Sequence, residues 1–173
     1  MGRVSAAAER KQRRVRRLLT VHPELVPYYR GFKPPLLRYL LGGGVSTVLA
    51  APVIYSLIVP FVLLDAWVSL YQACCFRAWG LSPVRRRAYF SIDRHKLAYL
   101  NGLEKLNCLY CSYANGVIAY VRDIAARTEQ YWCPIRHARR VRHPHERYES
   151  FAAYGDAAGF RRTLPSQRAA LKK

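Results

Sequence analysis

No charged residue occurs between Tyr39 and Leu64, and the 41 residues from Leu36 to Phe76 carry only Arg38 and Asp65. That absence of charge argues against one soluble domain. Uncharged core helices rarely exceed ~14 residues, whereas a membrane helix needs about 20 apolar ones. Acids are scarce throughout: 10 Asp plus Glu stand against 29 Lys plus Arg, a net charge of +19. Ten of the basic residues lie in the first 38 positions. Basic flanks of this kind stay in the cytoplasm and lean on a bilayer with anionic headgroups. Nucleic acid is not expected as a partner, because the chain carries no recognised nucleic-acid fold signature. Five cysteines, an odd number that includes a C-x-x-C pair, fit metal binding better than a disulfide framework. No small-residue cleavage site ends the apolar stretch, so Arg13-Arg14 and Arg16-Arg17 do not read as a twin-arginine signal, and the segment reads as retained. No internal repeat and no clear run of strands is visible. The expectation is an all-α chain.

Four regions follow from composition. Residues 1–35 form a basic leader in which Val4–Thr20 can make a short helix; Pro23, Pro27, Pro34 and Pro35 then interrupt it. Tyr28, Tyr29 and Phe32 suit an interfacial aromatic belt. Residues 36–76 are the membrane-embedded helical segment. As one helix they would measure about 60 Å, twice the hydrocarbon thickness. Two solutions fit: a single span near Val45–Leu64 continued by an interfacial helix, or a kinked hairpin punctuated by Gly42-Gly43-Gly44, Pro52 and Pro60. Because both flanks are basic, the positive-inside rule favours the hairpin with both termini in the cytoplasm. An acid at membrane depth costs ~3 kcal/mol on insertion scales, which places Asp65 at the interface or the bend. Residues 77–142 form a small helical cytoplasmic domain, capped from Ser91 or Asp93. Residues 143–173 read as a basic, flexible tail.

The period predicts a helix over 93–131. Tyr99, Leu103, Leu106, Tyr110, Tyr113, Val117, Tyr120 and Ile124 recur at spacings of four and three, a seam that packs along a second helix or a partner chain. Asn115-Gly116 is a candidate break in it, since Gly costs ~1 kcal/mol inside a helix. Through Tyr99, Leu103, Leu106, Tyr110, Tyr113 and Val117 the seam is also the candidate surface for a protein partner or for self-association.

Chemistry is signalled by Cys108-Leu-Tyr-Cys111 and Cys133-Pro-Ile-Arg-His137, separated by 21 residues. Each pair presents two donors from a short stretch of backbone, and four such donors close a tetrahedron around zinc. Glu104 lies on the cysteine face as a candidate further acceptor, with an ordinary surface glutamate the simpler reading. Haem attachment fails because Ser112 follows Cys111. A thioredoxin-like dithiol lacks its βαβ setting. A catalytic cysteine would lack a third group to orient His137. An iron–sulfur cluster on the same residues is the chemical alternative.

The runs Asn107-Cys-Leu-Tyr-Cys-Ser-Tyr-Ala-Asn-Gly116 and Arg127-Thr-Glu-Gln-Tyr-Trp-Cys-Pro-Ile-Arg-His137 resemble a group of uncharacterised bacterial membrane proteins. The likeness extends back through Pro60-Phe-Val-Leu-Leu-Asp65 and Tyr71-Gln72, covering about residues 53–140. The resemblance implies a bacterial membrane location and no mechanism. The expected function is therefore non-enzymatic: a bacterial inner-membrane adaptor or accessory subunit, with a structural zinc site at Cys108, Cys111, Cys133 and His137. The alternative is a redox or electron-transfer protein using the same residues. An enzyme acting on lipid-linked substrate has less support, because no nucleophile-plus-base set is visible.

Overall fold

The computed structural model describes Leu25–Lys172. The chain is all-α: no strand occurs among the described residues, where pairing of strand type is confined to one isolated bridge between Ile135 and Ala152. Its helices are α1 (Leu25–Arg30), α2 (Leu36–Gly42), α3 (Gly44–Trp79), α4 (Gly102–Trp132) and α5 (Ala157–Ala169). The expected helix over Val4–Thr20 lies outside the described residues. Two compact units result. One comprises the described residues to Pro52 with Ile92–Leu109; the other comprises Val53–Ser91 and the described residues from Tyr110.

α3 is 36 residues long and apolar enough to cross a membrane. It does not reverse, so the kinked hairpin is not formed. Its prolines explain why. Pro52 sits inside the helical run, and Pro60 follows a single irregular residue, Leu57. A proline removes one N–H bond and can kink a helix, but it does not by itself turn the chain back. The firm break lies earlier, at Gly44, whose φ of 73° separates α2 from α3. From Tyr55 on, Tyr55, Ile58, Phe61, Asp65, Val68, Gln72, Phe76 and Trp79 are among the more buried positions and recur every three or four residues as one stripe of the helix, widened near its end by Ser69, Tyr71 and Cys75. The rest of the circumference stays exposed yet apolar, with Val53, Leu63 and Trp67 each about two-thirds or more exposed.

In the first unit, Tyr28, Tyr29 and Phe32 make edge-to-face contacts, and Tyr29 also meets Tyr99 at 6.4 Å. α4 begins at Gly102, nine residues later than its period suggests, because Asn101 caps it. The Asn101 Oδ1 accepts from the Glu104 N–H at 2.9 Å, and the Glu104 carboxylate accepts from the Asn101 N–H at 2.7 Å. This reciprocal capping box satisfies two donors at the helix start. It also gives Glu104 a task other than metal ligation. Tyr99 consequently lies outside the helix whose seam it was expected to begin.

The second unit is built where α3 and α4 run alongside each other. Phe76, Leu81, Val84, Tyr120, Ile124 and Leu171 form its buried core, flanked by Val68, Tyr71, Trp79, Tyr89, Phe90 and Tyr131. α3 ends in a Schellman arrangement: Gly80 takes φ 66°, the Leu81 N–H donates to Phe76 O at 2.8 Å, and the Gly80 N–H donates to Arg77 O at 3.2 Å. That turn delivers Leu81 and Val84 into the core. Residues 143–172, expected as a flexible tail, are folded: they contain α5, and Leu171 is buried against the core with its carbonyl accepting from the Ser82 N–H at 3.0 Å.

Asn115-Gly116 does not break α4. Gly116 is buried, and a Cβ there would stand 2.8 Å from Phe90 Cδ1 and 3.1 Å from Tyr89 O. The glycine lets the 84–91 segment lie directly on the helix. Gly116→Ala should therefore lower the melting temperature, even though alanine favours a helix by ~1 kcal/mol. Overpacking costs about 1–3 kcal/mol, and adding Phe90→Ala should relieve part of it. Thermal unfolding of the two variants checks this; an unchanged Gly116→Ala midpoint would refute it.

Candidate functional site

The structure does not bring the four expected metal ligands together. Cys108 and Cys111 occupy one turn of α4, while Cys133 follows that helix's last residue. The 21 residues between Cys111 and Cys133 all lie in one continuous helix, so the two pairs are held apart by about 32 Å of axial rise. His137 lies beyond Cys133 and is engaged elsewhere: the Tyr148 hydroxyl sits 3.1 Å from its Nδ1 and 2.6 Å from its backbone N. All five cysteines are free, and Cys111 and Cys133 are exposed. Among the described residues no group of three or more His, Cys, Asp or Glu side chains is placed to hold a metal.

A different constellation forms around Asp65. Its carboxylate is 7 % exposed in the middle of α3. Arg86, from the 3-10 turn Arg86–Ala88, reaches it with both prongs of the guanidinium, Nε donating to Oδ1 at 2.9 Å and Nη2 to Oδ2. Such two-pronged pairing is among the strongest protein hydrogen bonding. From α4, the Tyr113 hydroxyl donates to Oδ2 at 2.9 Å. Burial first, and then this bond to a carboxylate, raise the Tyr113 pKa above its ordinary value. The hydrogen bond to Asp65 likewise holds Arg86 above its usual value. Arg86 in turn lies 4.1 Å from the centre of the Phe90 ring, the ring that Gly116 admits. Asp65 is thus neither at a bend nor unpaired. Its lone pairs are directed at Arg86 and Tyr113, so it ties α3, the 84–91 segment and α4 together.

No protein-family model, curated protein or solved structure matches the chain. Its chemistry therefore has to be read from its own contacts. Two more polar nodes surround the Asp65 tie. Gln72 clamps the backbone of Val84: its Oε1 accepts from the Val84 N–H at 2.7 Å, and its Nε2 donates to Val84 O at 3.3 Å and to the Tyr120 hydroxyl at 3.1 Å. Asp123 accepts from the Tyr89 hydroxyl at 2.7 Å and from Arg127 Nε at 3.3 Å, with Arg147 Nε at 3.7 Å. Burial, followed by the Asp123 carboxylate, pushes the Tyr89 pKa up to about 12.

The Arg127–His137 run proves to be the binder of the C-terminal segment. Arg127 donates to Ser82 O, Glu129 pairs with His145 at 2.9 Å, and Gln130 exchanges bonds with Arg147 and with Gln167 O. Tyr131 stacks on Trp79 at 5.3 Å and lies under Arg168 at 4.8 Å. Pro134 is fully buried, and its carbonyl accepts from the Ala152 N–H at 2.9 Å.

The tyrosine seam is likewise used within the chain. The Tyr110 hydroxyl donates to Ile54 O at 2.9 Å, Tyr113 is committed to Asp65, and Val117 is fully buried. These three contacts are made within the chain. Leu106 remains half exposed and Tyr99 is 39 % exposed. Sequence reasoning missed Arg86, Gln72, Asp123 and Arg147 as organising residues. The available signal was Asp65 itself: a lone acid in an apolar run calls for a cationic partner.

Proposed function

We infer that this chain is a membrane-anchored helical adaptor, held to the bilayer by α3 and presenting the unit built on α4 as its working surface. The observation that carries the reading is the exposure of α3: none of its most apolar 18-residue window is buried. An exposed apolar surface of that extent marks a membrane or protein contact. The uncharged stretch Val45–Leu64 supplies 20 residues, or about 30 Å of helix, which matches the hydrocarbon thickness. Asp65, its charge paired with Arg86, follows that stretch directly. The 20 positions after Trp79 hold five basic residues. The positive-inside rule thus places the folded unit in the bacterial cytoplasm, where its free thiols stay reduced. The adaptor role needs no metal.

Membrane fractionation tests this. The wild-type chain should remain in the membrane pellet after alkaline carbonate. Val53→Arg with Val59→Arg, each costing about 2.5–3.5 kcal/mol at mid-span, should release it. Maleimide that cannot cross membranes should label Cys111 and Cys133 only after lysis. A wild-type chain in the soluble fraction would refute the anchor, and labelling in intact cells would refute the orientation.

A further inference from the structure

Immediately after α4 the chain places Arg136, Arg139, Arg140 and Arg142 within seven residues, with His137 and His143 among them, around a cleft of about 1050 Å³. Glu149 is the one acidic residue lining it. None of the four arginines forms an ion pair with a carboxylate among the described residues. The loop is nevertheless pinned at both ends. The Arg136 N–H donates to Ala152 O at 2.8 Å, and Arg122 Nη2, from α4, donates to His143 O at 2.6 Å. A pinned loop that gathers unpaired guanidinium groups stores like-charge repulsion, which a bound anion relieves. The planar fork of arginine matches phosphate oxygens in pairs.

A second feature points to the source of the phosphate. An apolar groove of about 400 Å³ runs between α3 and α4, with Val68 and Tyr71 on one wall and Val121, Ile124 and Ala125 on the other. Thr128, Glu129, Trp132 and Cys133 complete its lining. Cys133 and Arg136 are three residues apart, at most about 11 Å of chain, so apolar groove and basic cleft are neighbours. We propose that together they bind one anionic phospholipid, its headgroup phosphate in the arginine cleft and an acyl chain in the groove. Nucleic acid fits less well. Single-strand channels stack successive bases on several rings, whereas here Tyr154 is exposed but Tyr148 is buried against His137.

This assignment deepens the membrane-anchor reading and rests on it, so its test is run in detergent, apart from any bilayer. The full chain, purified in a non-ionic detergent, is titrated calorimetrically with dioctanoyl phosphatidylglycerol, dioctanoyl phosphatidylcholine, inorganic phosphate and a 20-nucleotide single-stranded DNA. Phosphatidylglycerol should bind at least ten-fold more tightly than phosphatidylcholine. The triple variant Arg139→Gln, Arg140→Gln, Arg142→Gln should lose at least ten-fold of that affinity. The control Arg161→Gln, Arg162→Gln, two exposed charges on α5, should change it less than two-fold. Equal affinity for the two lipids, or equal losses in both variants, overturns the cleft. Inorganic phosphate binding as tightly as the lipid, or DNA binding more tightly through the same three arginines, overturns the lipid assignment. Carbonate extraction separates the two readings: a released wild-type chain fails the anchor, while the titration still decides the cleft.

Discussion

Arg86→Ala is expected to destabilise the chain by about 3 kcal/mol, the low end of the cost of breaking a buried ion pair. The Asp65 side chain is 9 % exposed and that of Arg86 45 %. The substitution therefore leaves a buried carboxylate whose remaining partner is the Tyr113 hydroxyl, while the lost arginine was already half in solvent. The half-exposed partner sets the low end of the range. Asp65→Leu combined with Arg86→Leu should recover most of the loss, because no charge is then left buried. Arg86→Lys should fall between, since a single ammonium cannot reproduce the two-pronged contact. Denaturant unfolding of the purified protein in mild detergent, run as a double-mutant cycle, measures all of these. An Arg86→Ala chain within 0.5 kcal/mol of wild type, well under the ~3 kcal/mol expected, would show that the pair does not hold the 84–91 segment to α3.

Tyr120→Ala should cost about 4 kcal/mol, in the range for emptying a buried aromatic site. Tyr120 is 1 % exposed and is among the largest fully buried side chains of the core. It touches Tyr89 at 5.9 Å between ring centres, and its hydroxyl accepts from Gln72. Tyr120→Phe keeps the ring and loses that bond, so about 1 kcal/mol is expected; Gln72 Nε2 retains Val84 O as a partner. The ratio of the two losses is the informative quantity. Equal losses would mean that the hydroxyl rather than the ring holds the core, contrary to the packing.

Periodicity and composition carried part of this architecture. The uncharged run from Tyr39 to Leu64 announced α3, and the four-three spacing from Leu103 to Ile124 announced α4. The start of α4 was misplaced because Ser91 and Asp93 are as good caps by residue type as Asn101. The capping box with Glu104 was present in the sequence, but its partner looked like a candidate ligand. The hairpin was inferred from basic flanks, and flanking charge orients a helix without bending it. The folded C-terminal segment was hidden because its ties are single residues of opposite polarity: Leu171 in the core, Gln167 on Gln130, and Arg168 on Tyr131.

The metal site illustrates the limit most clearly. Two ligand pairs with metal-like spacing are visible in the linear chain, but whether they meet depends on what lies between them. A loop would let them close; a continuous helix holds them apart. The sequence by itself determined that the chain is helical, that one helix is long and apolar enough to cross a membrane, and that positive charge dominates. These follow from local propensity and composition, which need no long-range contact. Only the tertiary structure decided that Asp65 pairs with Arg86 and Tyr113, that Gly116 admits Phe90, that the cysteines stay apart, and that four arginines gather around one cleft. Each of those depends on which distant segment packs against which, and that is set by burial and hydrogen bonding in three dimensions rather than by any spacing along the chain.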